Sequence, residues 1–177
     1  TRRSSDLLVS RKASIYNPEQ IVLGDNIRID DFCILSGNIK LGSYIHISAY
    51  TCLIGGVKGI ILQDFVTVSS RCAVYAVSDD FSGEQLNNSM IPTAYRSVIE
   101  GRVILEDYVS VGTGSTILPG VKLEEGAAVG AMSFVKHTLE GWKIYAGAPC
   151  RYVKDRNQNM KQLRAVLQNS GEYEESR

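Results

Sequence analysis

The sequence predicts an all-β solenoid of stacked parallel coils, and three observations carry that prediction. In IEGRVILEDYVSVGTGSTILPGVKLEEGAAVGAMSFV an aliphatic residue returns at every sixth position: Ile99, Leu105, Val111, Ile117, Leu123, Val129 and Val135. Neither the 3.6-residue helix nor the two-residue strand repeat gives a period of six, so each block is one unit stacked on the last. Four residues after each aliphatic comes a second inward position, Val103, Val109, Ser115, Val121, Ala127 and Ser133, mostly small or β-branched. A narrow coil explains the pairing: one large side chain fills the axis, a small one turns the corner, and Gly112, Gly120, Gly126 and Gly130 relieve the bends. The same phase runs through Leu23, Ile29, Leu35, Leu41, Ile47 and Leu53, with Ile27, Cys33, Ile39, Ile45, Thr51 and Val57 in the second place. With Leu62, Val68 and Val74 further on, the register holds sixteen such residues, and were Ile, Leu and Val scattered at random it would arise about once in 10⁹ sequences.

Taken in order, residues 1–20 read as a polar lead-in and a cap, SIYNPEQIVLG, with Pro18 ahead of the regular coils. The solenoid is expected over 21–153. After GGVKG the phase jumps by three residues, resumes at Leu62, Val68 and Val74, and re-enters after a polar tract at Ile99. That tract, VSDDFSGEQLNNSMIPTAYRS, predicts a loop excursion over 78–98, and a loop of this length in a compact repeat is usually functional. Residues 154–177 change character. Met160, Leu163, Val166 and Leu167 follow helical spacing, predicting a C-terminal α-helix that packs on the solenoid end or on a neighbouring subunit and covers an open strand edge. GEYEESR reads as a solvated tail.

Composition bounds the function. The 177 residues are 44% apolar with a formal net charge of zero, which argues against nucleic-acid binding and a basic membrane arm. No run reaches the length of a membrane span, and TRRSSDLLVS has too short an apolar stretch for a signal peptide. Cys33, Cys52, Cys72 and Cys150 form no CxxC pair, as expected for reduced thiols in a cytoplasmic protein.

The hexads, the loop and the closing WKIYAGAPCRYVKDR resemble the hexapeptide-repeat acyltransferases, within them the galactoside, maltose and xenobiotic acetyltransferase branch. The resemblance implies a left-handed parallel β-helix of triangular section, assembled as a homotrimer with active sites between subunits. The handedness follows from the resemblance alone, since general topology favours right-handed crossovers. It further implies acetyl-CoA as donor, bound along the late coils. Gly112 and Thr113 in VGTGS stand where the family aims a main-chain N–H at the thioester oxygen. Ala131 in VGAMSFVK matches the pantetheine contact, and Lys136, Arg151 and Lys154 match the phosphate-binding cations. The chemistry is apt, because an oxyanion needs a fixed donor and phosphates need cations.

The chain departs from this branch at its catalytic histidine, where VTVSSRCAVYAVSDDF places Asp79. Of the two histidines, His137 follows Lys136 in the late coils, while His46 in GSYIHISAYT aligns with a position lining the family's acceptor pocket. His46 is therefore expected to be the general base, with Asp79 orienting it or binding the acceptor. Tyr50, Asp80 and Glu84 complete the expected acceptor surface, and the acidic cluster suits a protonated amino sugar.

Three functions compete. The leading one is an acetyl-CoA-dependent acetyltransferase whose acceptor is a hydroxyl or amino group of a sugar that is free, nucleotide-linked or a polysaccharide precursor. A metal enzyme of the hexapeptide carbonic-anhydrase kind needs three histidines per site, and two in distant coils argue against any metal. A catalytically silent scaffold subunit is the third reading, favoured by the missing loop histidine and opposed by the intact donor-side coils.

Overall fold

The computed structural model describes residues 7–169. The chain winds through three strand faces in turn. On the first face the parallel strands Leu7–Val9, Ile27–Ile29, Ile45–Ile47, Thr67–Val68, Ser110–Val111, Ala128–Val129 and Lys143–Ala146 stack in that order. The long strands Ile34–Leu41 and Cys52–Leu62 each turn a corner, joining the second face to the third. On the second face Leu35, Leu53, Val74, Ile117 and Val135 align. On the third, Leu41, Leu62, Leu105 and Leu123 do so.

Register explains the period of six. The hexad aliphatics fall in turn on the three faces, giving three buried columns such as Ile29, Ile47, Val68, Val111 and Val129. Burying each such side chain stabilises the fold by about 1.5–3 kcal/mol. Inward hydroxyls are satisfied within the coils: Thr51 Oγ1 donates to the Ser69 carbonyl at 2.9 Å, and Ser133 Oγ to the Gly130 carbonyl at 2.8 Å.

Several expectations are corrected. Residues 7–20 are not a lead-in and cap but the first coil, because Leu7–Val9 and Ser14–Tyr16 already pair in parallel with strands of the next. Val57 is 75% exposed: the three-residue jump bulges outward there, and Ile60 takes the inward place. Ile99 is 53% exposed, since Val98–Glu100 pairs antiparallel with Val77–Asp79 as the stem of the excursion, and the coil resumes at Val103–Leu105.

The corners are not generally glycine. Left-handed φ values occur at Tyr44, Phe65, Tyr108 and Trp142 on one corner and at Phe32, Tyr50, Arg71 and Met132 on another. Each costs about 1–2 kcal/mol, and stacking offsets part of it. Gly120 and Gly126 do have positive φ, but Gly112 is demanded by close approach: a Cβ there would lie 2.5 Å from the Ala131 nitrogen.

The helix Asn159–Asn169 lies along the first aromatic corner rather than across the end of the solenoid. There the rings of Tyr44, Phe65 and Tyr108 stack at 4.9 and 5.5 Å, and Trp142 follows at 5.7 Å. Arg164 lies over Phe65 and Tyr108, and Lys161 over Trp142. The open edge at Lys143–Ala146 is covered instead by the antiparallel strand Arg151–Asp155. The tail GEYEESR lies outside the described residues.

Candidate active site

His46 projects from the first face between two buried isoleucines, because alternation along Ile45–Ile47 turns its ring outward. Parallel pairing sets it opposite Arg28 of the coil before and Thr67 of the coil after. Its Nε2 lies 2.8 Å from Asp30 Oδ2, while Arg28 Nε donates to Asp30 Oδ1 at 2.7 Å. Burial alone would raise the Asp30 carboxyl, but the hydrogen bonds from Arg28 and His46 hold it below the usual carboxylate range. The carboxylate that His46 meets within the chain is thus Asp30 and not Asp79. Beyond His46 the outward residues shorten through Thr67, Ser110 and Ala128, a strip of small side chains that Arg156 partly covers, its Nη2 donating to Ser110 Oγ at 3.0 Å.

That strip borders the corner where Gly112, Thr113 and Ala131 lie. The Gly112 N–H donates to the Val129 carbonyl at 2.7 Å, so it belongs to the inter-coil ladder and is not free to meet an oxyanion. Thr113 beside it is exposed, and its Oγ1 donates to the Ser70 carbonyl at 2.6 Å. Ala131 is exposed one coil later, where the Met132 N–H donates to the Thr113 carbonyl. Tyr50 occupies the same corner lower down and stacks on Phe32.

The three acidic residues of the excursion separate by environment. Asp80 accepts hydrogen bonds from the Ser82 N–H (2.8 Å), the Ser82 hydroxyl (3.1 Å) and the Ser97 hydroxyl (3.1 Å). These bonds, the Ser82 N–H foremost, hold its carboxyl low and make it a loop-building residue. Glu84 is exposed at the tip. Asp79, at the end of the stem strand, is half-buried; its carboxylate faces Arg96 at 3.9 Å and accepts no hydrogen bond among the described residues.

Lys136, Arg151 and Lys154 are all exposed. The Phe134 N–H donates to the Gly147 carbonyl and the Cys150 N–H to the Phe134 carbonyl, laying 147–150 against Phe134–Val135 and bringing Arg151 and Lys136 to the same end of the solenoid. His137 is exposed beside Lys136. Among the described residues no group of three His, Cys, Asp or Glu is arranged to hold a metal ion, and no helix is long and apolar enough to cross a membrane. Sequence reasoning missed Asp30 and Arg96. Coil arithmetic carried a signal for the first, since Arg28 lies one coil before His46 and Asp30 lies two residues further on.

No model of a known protein family matches the chain. Individual proteins do. It is 37% identical over 165 residues to the dTDP-4-amino-4,6-dideoxy-D-glucose acyltransferase of Escherichia coli, covering 92% of this chain and 85% of that one. It is also similar to AntD, an N-acyltransferase from Bacillus cereus, in a crystal structure with dTDP and 3-hydroxybutyryl-CoA: 50% identity, TM-score 0.92, 94% of this chain and 89% of AntD. A variant of AntD holding dTDP-4-amino-4,6-dideoxyglucose and coenzyme A superposes equally, with TM-score 0.92. A hexapeptide-repeat acetyltransferase of Vibrio cholerae, 18% identical with TM-score 0.64 over 78% of this chain and 72% of that one, shares the fold alone. The solenoid is accordingly a left-handed parallel β-helix.

Proposed function

The chain belongs to the hexapeptide-repeat acyltransferases, among their sugar acyltransferases, and on that premise we propose that it acylates the amino group of a nucleotide-linked amino-dideoxy sugar. The observation that carries this reading is the likeness to AntD at 50% identity, covering 94% of the chain. The donor is an acyl-CoA; the amine attacks the thioester directly, the C–N bond forming as the C–S bond breaks. When bound, the donor supplies the activated carbonyl. The chain supplies Thr113 near that carbonyl, Ala131 along the strip, and Lys136, Arg151 and Lys154 for the phosphates. These three cations fit the role because they are exposed at one end of the solenoid.

An amino acceptor changes the order of the catalytic candidates. It arrives as an ammonium, which a carboxylate attracts and an imidazole does not. Asp79, whose oxygens carry no hydrogen bond among the described residues, binds that ammonium; once the amine has lost its first proton to solvent and attacked, Asp79 takes the second, which returns to the leaving thiolate, while Arg96 lies 3.9 Å from the carboxylate. Asp80 and Glu84 add negative potential around it, and His46 on the first face with Tyr50 at the adjoining corner lines the acceptor side.

The site is completed by a homotrimer. Phe81, Leu86, Met90 and Tyr95 of the excursion are 59–88% exposed in the single chain, an apolar surface suited to a neighbouring subunit. The four free cysteines, two of them buried, suit a reducing cytoplasm.

The test is direct: dTDP-4-amino-4,6-dideoxyglucose is supplied with acetyl-CoA or 3-hydroxybutyryl-CoA, with thiol release and product mass as readouts. N-acylated nucleotide sugar is expected; no thiol release with either donor refutes the reading.

A further inference from the structure

The two aromatic corners of the solenoid are built alike and finished differently. On one, Tyr44, Phe65, Tyr108 and Trp142 form a ladder that the C-terminal helix covers with Arg164 and Lys161, leaving Tyr108 only 4% exposed. On the other, Phe32 and Tyr50 stack with centroids 5.0 Å apart and rings 22° from parallel, yet remain 46% and 56% exposed. Both hold left-handed φ values, at +60° and +63°, a cost borne to keep large rings at a corner that no element among the described residues covers.

The column continues upward. Arg71 takes the same left-handed corner position on the next coil, exposed and without an ion pair among the described residues, and Gly114 and Met132 follow beside Thr113 and Ala131. One corner therefore runs from bare rings, past a bare cation, to the residues placed on the donor side. Lower down, Lys12 caps the outer face of Phe32 at 5.3 Å while paired with Asp31. The stack is closed below and open on the Tyr50 side.

We infer that this corner is the nucleotide subsite of the acceptor: the pyrimidine base lies on Tyr50, backed by Phe32, and Arg71 takes the diphosphate. The assignment rests on the proposed nucleotide-sugar reading and deepens it. A planar base matches an exposed aromatic face, and a diphosphate matches an exposed guanidinium that presents its donors as a fork. The order along the corner then sets the nucleotide below and the amino sugar toward the donor coils.

Titration calorimetry with dTDP as the probe, on the full chain, tests this. Tyr50→Ala is expected to weaken dTDP binding by about tenfold to a hundredfold and Phe32→Ala by less, with coenzyme A affinity unchanged. Tyr50→Phe should restore binding, which a loss of fold would not permit. Arg71→Ala should weaken dTDP but leave thymidine, followed by saturation-transfer NMR, as it was. Unchanged dTDP affinity in Tyr50→Ala and Arg71→Ala overturns the subsite and leaves the acceptor reading standing, whereas an unsubstituted protein that fails to bind dTDP refutes that reading as well. Dissociation of the assembly by Tyr50→Ala, seen by sedimentation with dTDP affinity retained, overturns the subsite too and makes the corner a contact between copies.

Discussion

His46 Nε2 and Asp30 Oδ2 stand 2.8 Å apart across adjacent coils, and Arg28 occupies the other carboxylate oxygen at 2.7 Å. A carboxylate held from both sides is stabilised in its charged form, and its pKa is lowered accordingly. The contribution to stability is therefore present above the unfolded-state value and is lost as pH falls through the lower folded value. Asp30→Asn should melt below the unsubstituted protein at pH 7, and the gap should close toward pH 3. Thermal melts at the two pH values check this; a gap that widens in acid contradicts the assignment.

Arg164 holds the helix to the solenoid through both ends of its guanidinium, to Asp107 at 2.7 Å and Asp64 at 3.0 Å, while lying over Phe65. Truncation leaves two carboxylates facing each other beneath an emptied ring face. Arg164→Ala should lower stability by about 2 kcal/mol, as measured by urea unfolding. Arg164→Lys should recover only part of it, because an ammonium cannot bridge as a fork.

Much of this architecture is legible in the sequence because the solenoid's core is periodic. A residue such as Leu105 or Ile117 sits inward for the same local reason as its neighbour six places away, so register could be read without knowing any long-range contact. The failures fall where that logic is interrupted. Ile99 keeps the phase but belongs to an antiparallel stem, and Val57 keeps it inside a corner enlarged by three residues. Leu7–Val9 was hidden because one short strand shows no period of its own.

The site was less legible, since its pairings are set by which side chains meet between coils. The sequence offered Asp79 as a partner for His46, yet stacking places Asp30 there. It grouped Asp79, Asp80 and Glu84 as one cluster, whereas loop geometry commits Asp80 to Ser82 and Ser97. The resemblance offers Gly112 as an oxyanion donor, although its N–H closes the ladder to Val129. Hexad position does not report which backbone donors are already taken.

On the donor side, Lys136 and Arg151 stand exposed at the same end of the solenoid. Reversing both to Glu puts repulsion where phosphate attraction is proposed, so coenzyme A affinity should fall by about tenfold or more. The loss should shrink in high salt. Calorimetry at two ionic strengths decides, and equal affinity in the double variant removes these residues from the donor groove.

The last prediction concerns the proton. Among Asp30, Asp79 and Asp80, the first gives its oxygens to Arg28 and His46 and the third to Ser82 and Ser97, while Asp79 meets, among the described residues, only the charge of Arg96 at 3.9 Å. A carboxylate with open oxygens on an excursion stem is the one suited to hold an ammonium. The bound ammonium sheds one proton to solvent before its lone pair can attack; the nitrogen then becomes far more acidic as the C–N bond forms, and that second proton is the one Asp79 takes. Asp79→Asn should therefore lower kcat by about 10²-fold or more, keep coenzyme A affinity, and leave the fold intact by circular dichroism. His46→Ala should cost less than about tenfold in kcat, with its effect mainly on KM for the acceptor. The reverse pattern, a severe loss in His46→Ala with the acidic limb of the pH profile abolished and a mild one in Asp79→Asn, would return the base to His46. Asp79 would then keep only the ammonium.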